Sequence, residues 1–377
     1  MDKRTICRYA GKCNGCQLLN LSYNEQLSFK QMKVERLLGK FGKVETIIGA
    51  DNPFNYRNKA TFAFDTTRSG EFLCGIYNST KDFVVSVKNC RLDNPKADKI
   101  ANSVFNLMKN FKIKPYNKRN GRGTIIYVTV RTAEKTGEIL VLIVTESPQF
   151  PKKRDFVKAL ISENPEITTV VHGVNSSDKT VFVDYINEIL YGDGYIIDEL
   201  CGKKFAIGAD TFYQINHTQT EKLYNKAIEL ANLKKNDKIL DAYCGIGTIT
   251  LACADYVNEA VGFEINPKSV ENAQENIKLN DVKNVRIFNC DASKFTAKDK
   301  FDTVFLDPPR AGCSHSFIRT LIKINPKKIV YISCNPETQR RDLEQITKVG
   351  YKVEHIHPVD MFPNTNHVEC VALMSRA

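Results

Sequence analysis

Leu27, Val34, Leu37 and Leu38 recur at helical spacing within SYNEQLSFKQMKVERLLGKF (22–41), and Glu25 follows Ser22 by three positions. Apolar residues every three to four positions mark one face of a helix, and Ser with Glu three residues later is a capping box at its start. The period then shortens to two. KATFAF, FLCGIY and FVVSV, between about 56 and 90, alternate apolar with polar positions and predict antiparallel strands joined by turns. A helix is predicted over 94–111, strands at TIIYVTVRT and EILVLIVT, a helix near 152–162, and strands near 168–173 and 180–184. A further strand pattern spans about 195–206.

After about residue 209 strand and helix alternate: helix 218–232, strand 238–242, helix 247–256, strand 259–264, helix 267–280, strands 284–288 and 301–306, helix 314–324 and strand 328–333. Apolar strands separated by helices mean a doubly wound, mostly parallel sheet. A helix near 337–348 and closing strands in YKVEHIHPVD and HVECVALMSR follow. The expected architecture is α/β. A Rossmann-like domain covers 209–377, an α+β strand-rich central domain covers 51–208, and an N-terminal segment with its helix covers 1–50.

Composition narrows the function. Of 377 residues, 42% are hydrophobic and 26% charged, as in an ordinary soluble globular protein. No apolar run reaches the ~20 residues of a membrane-spanning helix, so no membrane partner is expected. MDKRTICRYAGKCNGC lacks the apolar core of a signal peptide, which points to the cytoplasm. A net charge of +11 calls for a polyanionic partner, most simply a nucleic acid, although a generally basic enzyme would carry it too. Basic stretches at KPYNKRNGR (114–122) and PKKR (151–154) read as solvated loops when taken singly. The twelve cysteines, in a reducing compartment, suit metal binding or chemistry better than disulfides.

KILDAYCGIGTITLACA (238–254) is an apolar strand, an acid, a glycine-bearing turn and a helix. Gly245 and Gly247 let the backbone approach a ligand at the carboxyl end of the sheet. A dinucleotide fingerprint wants a third glycine where Thr250 stands, which argues against a nicotinamide cofactor. Glu264 ends the next strand, where an acid can accept both hydroxyls of a ribose, and Asp291 follows the strand after that. One acid after each successive strand resembles the S-adenosylmethionine site of Rossmann-like methyltransferases.

Asp307-Pro308-Pro309 ends the strand of DTVFLDPPRAG (302–312). Amino-directed methyltransferases carry an aromatic residue after such a motif to stack their base, and here Arg310 stands instead. One strand later, IVYISCNPET (329–338) delivers Cys334 at a strand end. Carbon 5 of uracil is a poor nucleophile. A thiolate adding to carbon 6 makes carbon 5 an enolate carbon that can attack a methyl sulfonium, and a base must then remove the carbon 5 proton. Glu369 in NHVECVALMS is the candidate base.

YRNKATF (56–62), FYQINHTQTEKLY (212–224), DAYCGIGTITL (241–251), GFEINPKSVENAQENIKLN (262–280), LDPPRAG (306–312), YISCNPETQRRDL (331–343) and HVE (367–369) together resemble the RNA 5-methyluridine methyltransferases. The likeness is to the iron–sulfur-containing branch that acts on 23S ribosomal RNA. It implies that Cys334 is the nucleophile and Glu369 the general base. It implies that Gln214, Tyr243, Glu264 and Asp307, with Asp291, lie at the S-adenosylmethionine site.

Cys7, Cys13 and Cys16 form C-x5-C-x2-C, a spacing that suits an iron–sulfur cluster or a structural zinc. The resemblance implies a [4Fe–4S] cluster completed by Cys90 and structural in role, with Cys74 a packing residue. Cys201, Cys244, Cys253, Cys290, Cys313 and Cys370 read as packing. With six residues before Cys7, the N-terminal TRAM barrel of many relatives is expected to be absent. The expectation is thus a monomeric uridine carbon-5 methyltransferase of 23S ribosomal RNA. The alternatives are a transfer RNA uridine enzyme, an amino-directed methyltransferase, and a non-catalytic RNA-binding factor.

Overall fold

The computed structural model describes residues 7–376 apart from 79, 81, 119, 177–182 and 296–299. Two seven-stranded sheets organise them. The first contains β1 (Lys59–Thr66), β2 (Phe72–Asn78), β3 (Phe83–Val85), β4 (Ile125–Thr132), β5 (Ile139–Thr145), β6 (Thr169–Val174) and β7 (Tyr185–Tyr191), in the order β3-β2-β1-β4-β5-β6-β7. Its pairings are antiparallel except β5 with β6, which the crossover helix α3 (Lys153–Glu163) joins. Helix α2 (Pro95–Asn110) presses Ile100, Val104 and Met108 into a core shared with β1, β4, β5 and α3.

The second sheet holds β10 (Lys238–Asp241), β11 (Glu259–Glu264), β12 (Val285–Asn289), β13 (Thr303–Leu306), β14 (Lys328–Ser333), β15 (Tyr351–Val359) and β16 (Glu369–Arg376). Their order is β12-β11-β10-β13-β14-β16-β15, parallel from β12 to β14 and antiparallel beyond. Strand order reverses between β10 and β13, the point at which such sheets open a crevice for ligands. Helices α4 (His217–Ala231), α5 (Thr248–Cys253), α6 (Pro267–Leu279), α7 (His315–Ile324) and α8 (Pro336–Thr347) cover its faces. Between the sheets, β8 (Tyr195–Leu200) and β9 (Lys203–Gly208) form a hairpin.

One expectation changes. The strand predicted over 195–206 is this hairpin, because Cys201 and Gly202 both take positive φ and reverse the chain. The strand expected near 180–184 falls mostly outside the described residues. Strand β7 was not foreseen: it is an edge strand with no buried residue, so it lacks the alternation that advertises a strand.

The N-terminal helix α1 (Tyr23–Leu38) docks on the second sheet, not the first. Val34 and Leu38 join the core formed by Tyr331, Leu343, Val353 and Ile356. The chain after it adds main-chain bonds along β15, from Glu45 N–H to Ile356 O and from Ile48 N–H to Pro358 O. Lys30 lies on the buried face and meets Asp360 at 2.5 Å, both fully buried. Tyr23 Oη donates to the other Asp360 oxygen at 2.9 Å, and Lys30 Nζ also donates to Phe362 O at 3.0 Å. Burial lowers the Lys30 ammonium despite this partner.

Removing one partner of a buried pair leaves an uncompensated charge and costs about 3–5 kcal/mol, whereas an apolar replacement of both costs much less. Lys30→Ala is therefore expected to lower the urea midpoint strongly, and Lys30→Met with Asp360→Leu to recover most of it. A double variant no more stable than the single one would contradict this account.

Candidate active site

A cavity of about 840 Å³ opens at the carboxyl ends of β10, β11, β13 and β14. Gln214, Tyr243, Glu264, Asp291, Asp307, Cys334 and Glu369 all line it, so the seven residues singled out in the second half of the sequence meet in one place. Each arrives by a local device.

The turn after β10 carries Gly245 at φ 55° and Gly247 at φ 86°, conformations that side chains with a Cβ resist. A Cβ on Gly245 would meet no atom within 4 Å, so that side of the turn is open. Gly245 N–H donates to one oxygen of Glu264 at 3.1 Å, and Asn266 N–H donates to the other at 2.7 Å. The acid is thus fixed at the end of β11. Asp291 caps a short 3-10 turn (Ala292–Lys294), and hydrogen bonds from Ser293 hold its carboxyl below the usual range. Tyr243 rests edge-on against Phe317, with centroids 5.3 Å apart.

Gln214 belongs to an irregular stretch stitched to β1. Asn58 Nδ2 donates to Gln214 O at 3.0 Å, and Asn58 N–H donates to Ile215 O at 2.9 Å. Asn216 then caps α4 and donates its side-chain N–H to Met361 O at 2.9 Å.

Cys334 follows the last residue of β14. In the antiparallel ladder Ser333 pairs with Cys370, the neighbours of Cys334 and Glu369, and Glu369 is close enough to act on the thiol. Beyond the thiol, Asn335 caps α8, and Ser333 Oγ donates to Asn335 O at 3.1 Å. The turn is therefore held from both sides. Loop 360–368 delivers Glu369, and the N-terminal region clasps that loop. Gln26 exchanges two hydrogen bonds with Asn364, while Gln17 and Leu18 donate their N–H groups to Asn364 O.

The electrostatics are unusual. Asp241 is fully buried, takes a hydrogen bond from Thr250 Oγ1 at 2.7 Å, and leaves Oδ1 without a partner. Thr250, where a dinucleotide fingerprint has glycine, thus gives its hydroxyl to a buried carboxyl. Glu369 Oε2 is likewise buried without a partner. Burial raises the Glu369 carboxyl, and the neighbouring Asp307 raises it further. Burial and then Asp241 raise Asp307 in turn. Burial, Glu369 and Asp307 push the Cys334 thiol up, against a lowering pull from Arg310.

Sequence reasoning passed over Asp241 and Tyr224. Tyr224 sits on α4 at a spacing that reads as core, yet it lines the cavity. His367 lines the cavity too.

The N-terminal cysteines behave differently. Among the described residues no three His, Cys, Asp or Glu side chains converge on a metal-sized point. Cys7, Cys13 and Cys16 nevertheless share one neighbourhood, since the first two raise the third, already pushed up by burial to about 11. Arg57 and Asp93 act on both Cys16 and Cys90, and Cys90 is pushed up to about 12 chiefly by burial. Asn78 Nδ2 donates to Lys12 O at 2.6 Å and Lys88 N–H to Tyr9 Oη at 3.1 Å, tying the segment to the strands beside Cys90. The four thiols are gathered, not closed into a ligand set. Neutral thiols gain nothing by converging, and thiolates repel until a cation joins them.

The whole fold aligns with Pyrococcus abyssi tRNA (uracil-54, C5)-methyltransferase, solved with S-adenosyl-L-homocysteine, at a TM-score of 0.83 and 28% identity, over 98% of this chain and 88% of that one. Its class is thus a Rossmann-like methyltransferase. Uncharacterised RNA methyltransferases of Caldanaerobacter subterraneus and Halalkalibacterium halodurans are 38% and 35% identical over 380 and 378 residues. The alignments cover 98% of this chain in both cases, and 84% and 82% of those relatives. Residues 22–377 match the family model described as tRNA (uracil-5-)-methyltransferase, and the chain belongs to that family.

Asp307 and Glu369 keep their protons in the folded protein over a range where the unfolded chain has lost them. The stability that these two groups contribute is then fullest below the ordinary carboxylate range and falls as pH rises toward neutrality. Glu369→Gln removes the larger part of this effect. Between about pH 5 and about pH 8 its melting temperature is expected to fall less than that of the wild type. A steeper fall in the variant would refute the shared burial of the two acids.

Proposed function

We propose that the protein methylates carbon 5 of a uridine in 23S ribosomal RNA, acting as a monomer and taking the methyl group from S-adenosylmethionine. The observation that carries the chemistry is that Cys334 and Glu369 line one cavity, next to the paired Ser333 and Cys370, with Glu369 close enough to act on the thiol. No step on an exocyclic amino group would need that thiol.

The methyl donor fits the charge of the cavity. Asp307 and Glu369 line the cavity, Glu369 with one oxygen lacking a hydrogen-bond donor, and buried Asp241 acts on Asp307 from behind. A ligand with a sulfonium and an ammonium group favours the ionised forms of these raised carboxyls, and so readies Glu369 to act as a base. Glu264, fixed by two backbone N–H groups, keeps lone pairs free for ribose hydroxyls, while Gln214, Tyr243 and Asp291 line the same wall.

The uracil enters opposite the donor, out of its stack. Cationic ligand charge and Arg310 ease ionisation of the raised thiol. Sγ of Cys334 bonds to carbon 6, and the ring electrons move to carbon 5, which takes the methyl group. Glu369 removes the remaining proton on carbon 5. The carbon–sulfur bond then breaks, restoring the ring double bond and the thiolate.

The cysteine set supports the ribosomal reading. Cys7, Cys13, Cys16 and Cys90 would hold a [4Fe–4S] cluster that ties the N-terminal segment to the central strands. The donor chemistry fits, with four thiols from two segments around Arg57 and Asp93. The methyl transfer itself requires no electron. A transfer RNA uridine is the second reading, favoured by the Pyrococcus abyssi relative, which acts on tRNA uracil-54.

Labelled S-adenosylmethionine, offered with unmethylated ribosomal and transfer RNA, is expected to mark uracil carbon 5 in 23S RNA. Label confined to transfer RNA would favour the second reading, and label on amino groups would defeat both. Cys334→Ala is expected to abolish transfer while S-adenosylhomocysteine still binds, and Glu369→Gln to accumulate a covalent RNA adduct on denaturing gels. Turnover at the wild-type rate in either variant would remove the assigned role. Anaerobically purified protein is expected to contain iron and acid-labile sulfide in equal amounts. Zinc in their place would rule out the cluster.

A further inference from the structure

The motif YRNKATF is only partly used by the site described above. Arg57 pairs with Asp93 at 3.8 Å, and Asn58 stitches β1 to the Gln214 stretch. Lys59 remains. The β1–β4 register sets it directly opposite Arg131, and on the same face the next pair, Thr61 and Thr129, share a hydrogen bond of 2.8 Å. Arg131 is buried, with 3% of its surface exposed, and Lys59 is half-buried. Like charges directly opposite each other on neighbouring strands oppose pairing, and burial makes the cost larger.

No carboxylate neutralises the two. Among the described residues neither cation forms an ion pair, and Arg131 Nε is a buried donor with no acceptor. Asp210 acts on both from a distance, but Lys268 already holds it at 2.5 Å. Among the described residues the pair thus has no counter-charge of its own, only a share of Asp210.

The position indicates what could supply it. Arg131 donates from its guanidinium to Thr211 O, the residue before Phe212. Phe212 lines the mouth of the acidic cavity and is 75% exposed, and Gln214 follows two residues on. The cavity is built for a cationic donor and a neutral base, so neither neutralises the pair. A nucleotide whose base enters there carries its phosphate at the rim.

We propose that Lys59 grips a backbone phosphate of the RNA beside the base in the cavity, with Arg131 adding charge from beneath. This rests on the RNA-methylating function proposed above. Burial and the Arg131 charge lower the Lys59 ammonium to about 8, as fits a cation whose counter-ion arrives with the substrate.

The test uses full-length wild type, Lys59→Gln and Lys59→Arg, with substrate RNA titrated at several salt concentrations. Losing one phosphate contact reduces the slope of log K against log salt by about 0.7 to about 0.9 and weakens binding about tenfold. Lys59→Gln is expected to show both losses and a raised KM for RNA. S-adenosylhomocysteine affinity and melting temperature are expected to hold, because the substitution also removes a repulsion. Lys59→Arg is expected to restore the slope. A wild-type slope and affinity in Lys59→Gln would overturn the phosphate contact alone. Wild-type protein that binds no RNA at any salt would overturn it together with the function it rests on.

Discussion

Ser333 pairs with Cys370 in the ladder of β14 and β16, and the site hangs on that pairing. A slip of one residue would turn Glu369 to the other face of the sheet and leave Cys334 facing nothing. Both faces of the ladder are buried, so its alternation locks the register. Val330, Ile332, Val371 and Leu373 enter one core, while Ile329, Tyr331, Ala372 and Met374 enter another. Gln339 adds a bond from its side-chain amide to Tyr331 O at 3.1 Å. Two packed cores thus hold the strands that carry Cys334 and Glu369 to the cavity.

The same region carries a deliberate electrostatic debt. Buried carboxylates with unpartnered oxygens destabilise an empty fold, and sites built for charged ligands commonly accept that cost. Asp241, Asp307 and Glu369 oppose one another at the end of the central strands. Lys59 and Arg131 repeat the theme with the opposite sign, facing each other across β1 and β4.

What the sequence disclosed was whatever a short window contains. The glycine turn, the acid at each strand end, Cys334 before an Asn-Pro cap and Glu369 at the head of a strand are local patterns, and all of them line the cavity. The helices and parallel strands of the second half were legible for the same reason, since their apolar periods are strong. What the window hid depended on distant partners. Lys30 reads as an exposed lysine on an amphipathic helix until Asp360 is brought to it. Strand β7 buries no residue and so leaves no period to read. The cysteine spacing was visible, but not whether four thiols would close on one point.

The Lys30–Asp360 pair spans 330 residues of chain. Synthesis delivers the helix first, at about 5–20 residues per second, so Lys30 waits on the order of tens of seconds for its counter-charge. Over that interval Val34 and Leu38 have no core to enter, because Val353 and Ile356 have not yet been made. A nascent chain therefore carries an apolar helix face and a lysine destined for burial, both without partners. The loop that precedes Glu369 is anchored by Gln26, made 338 residues before Asn364. The candidate site is thus completed only when these distant segments meet, and a nascent fragment that stops short of Glu369 would not possess it.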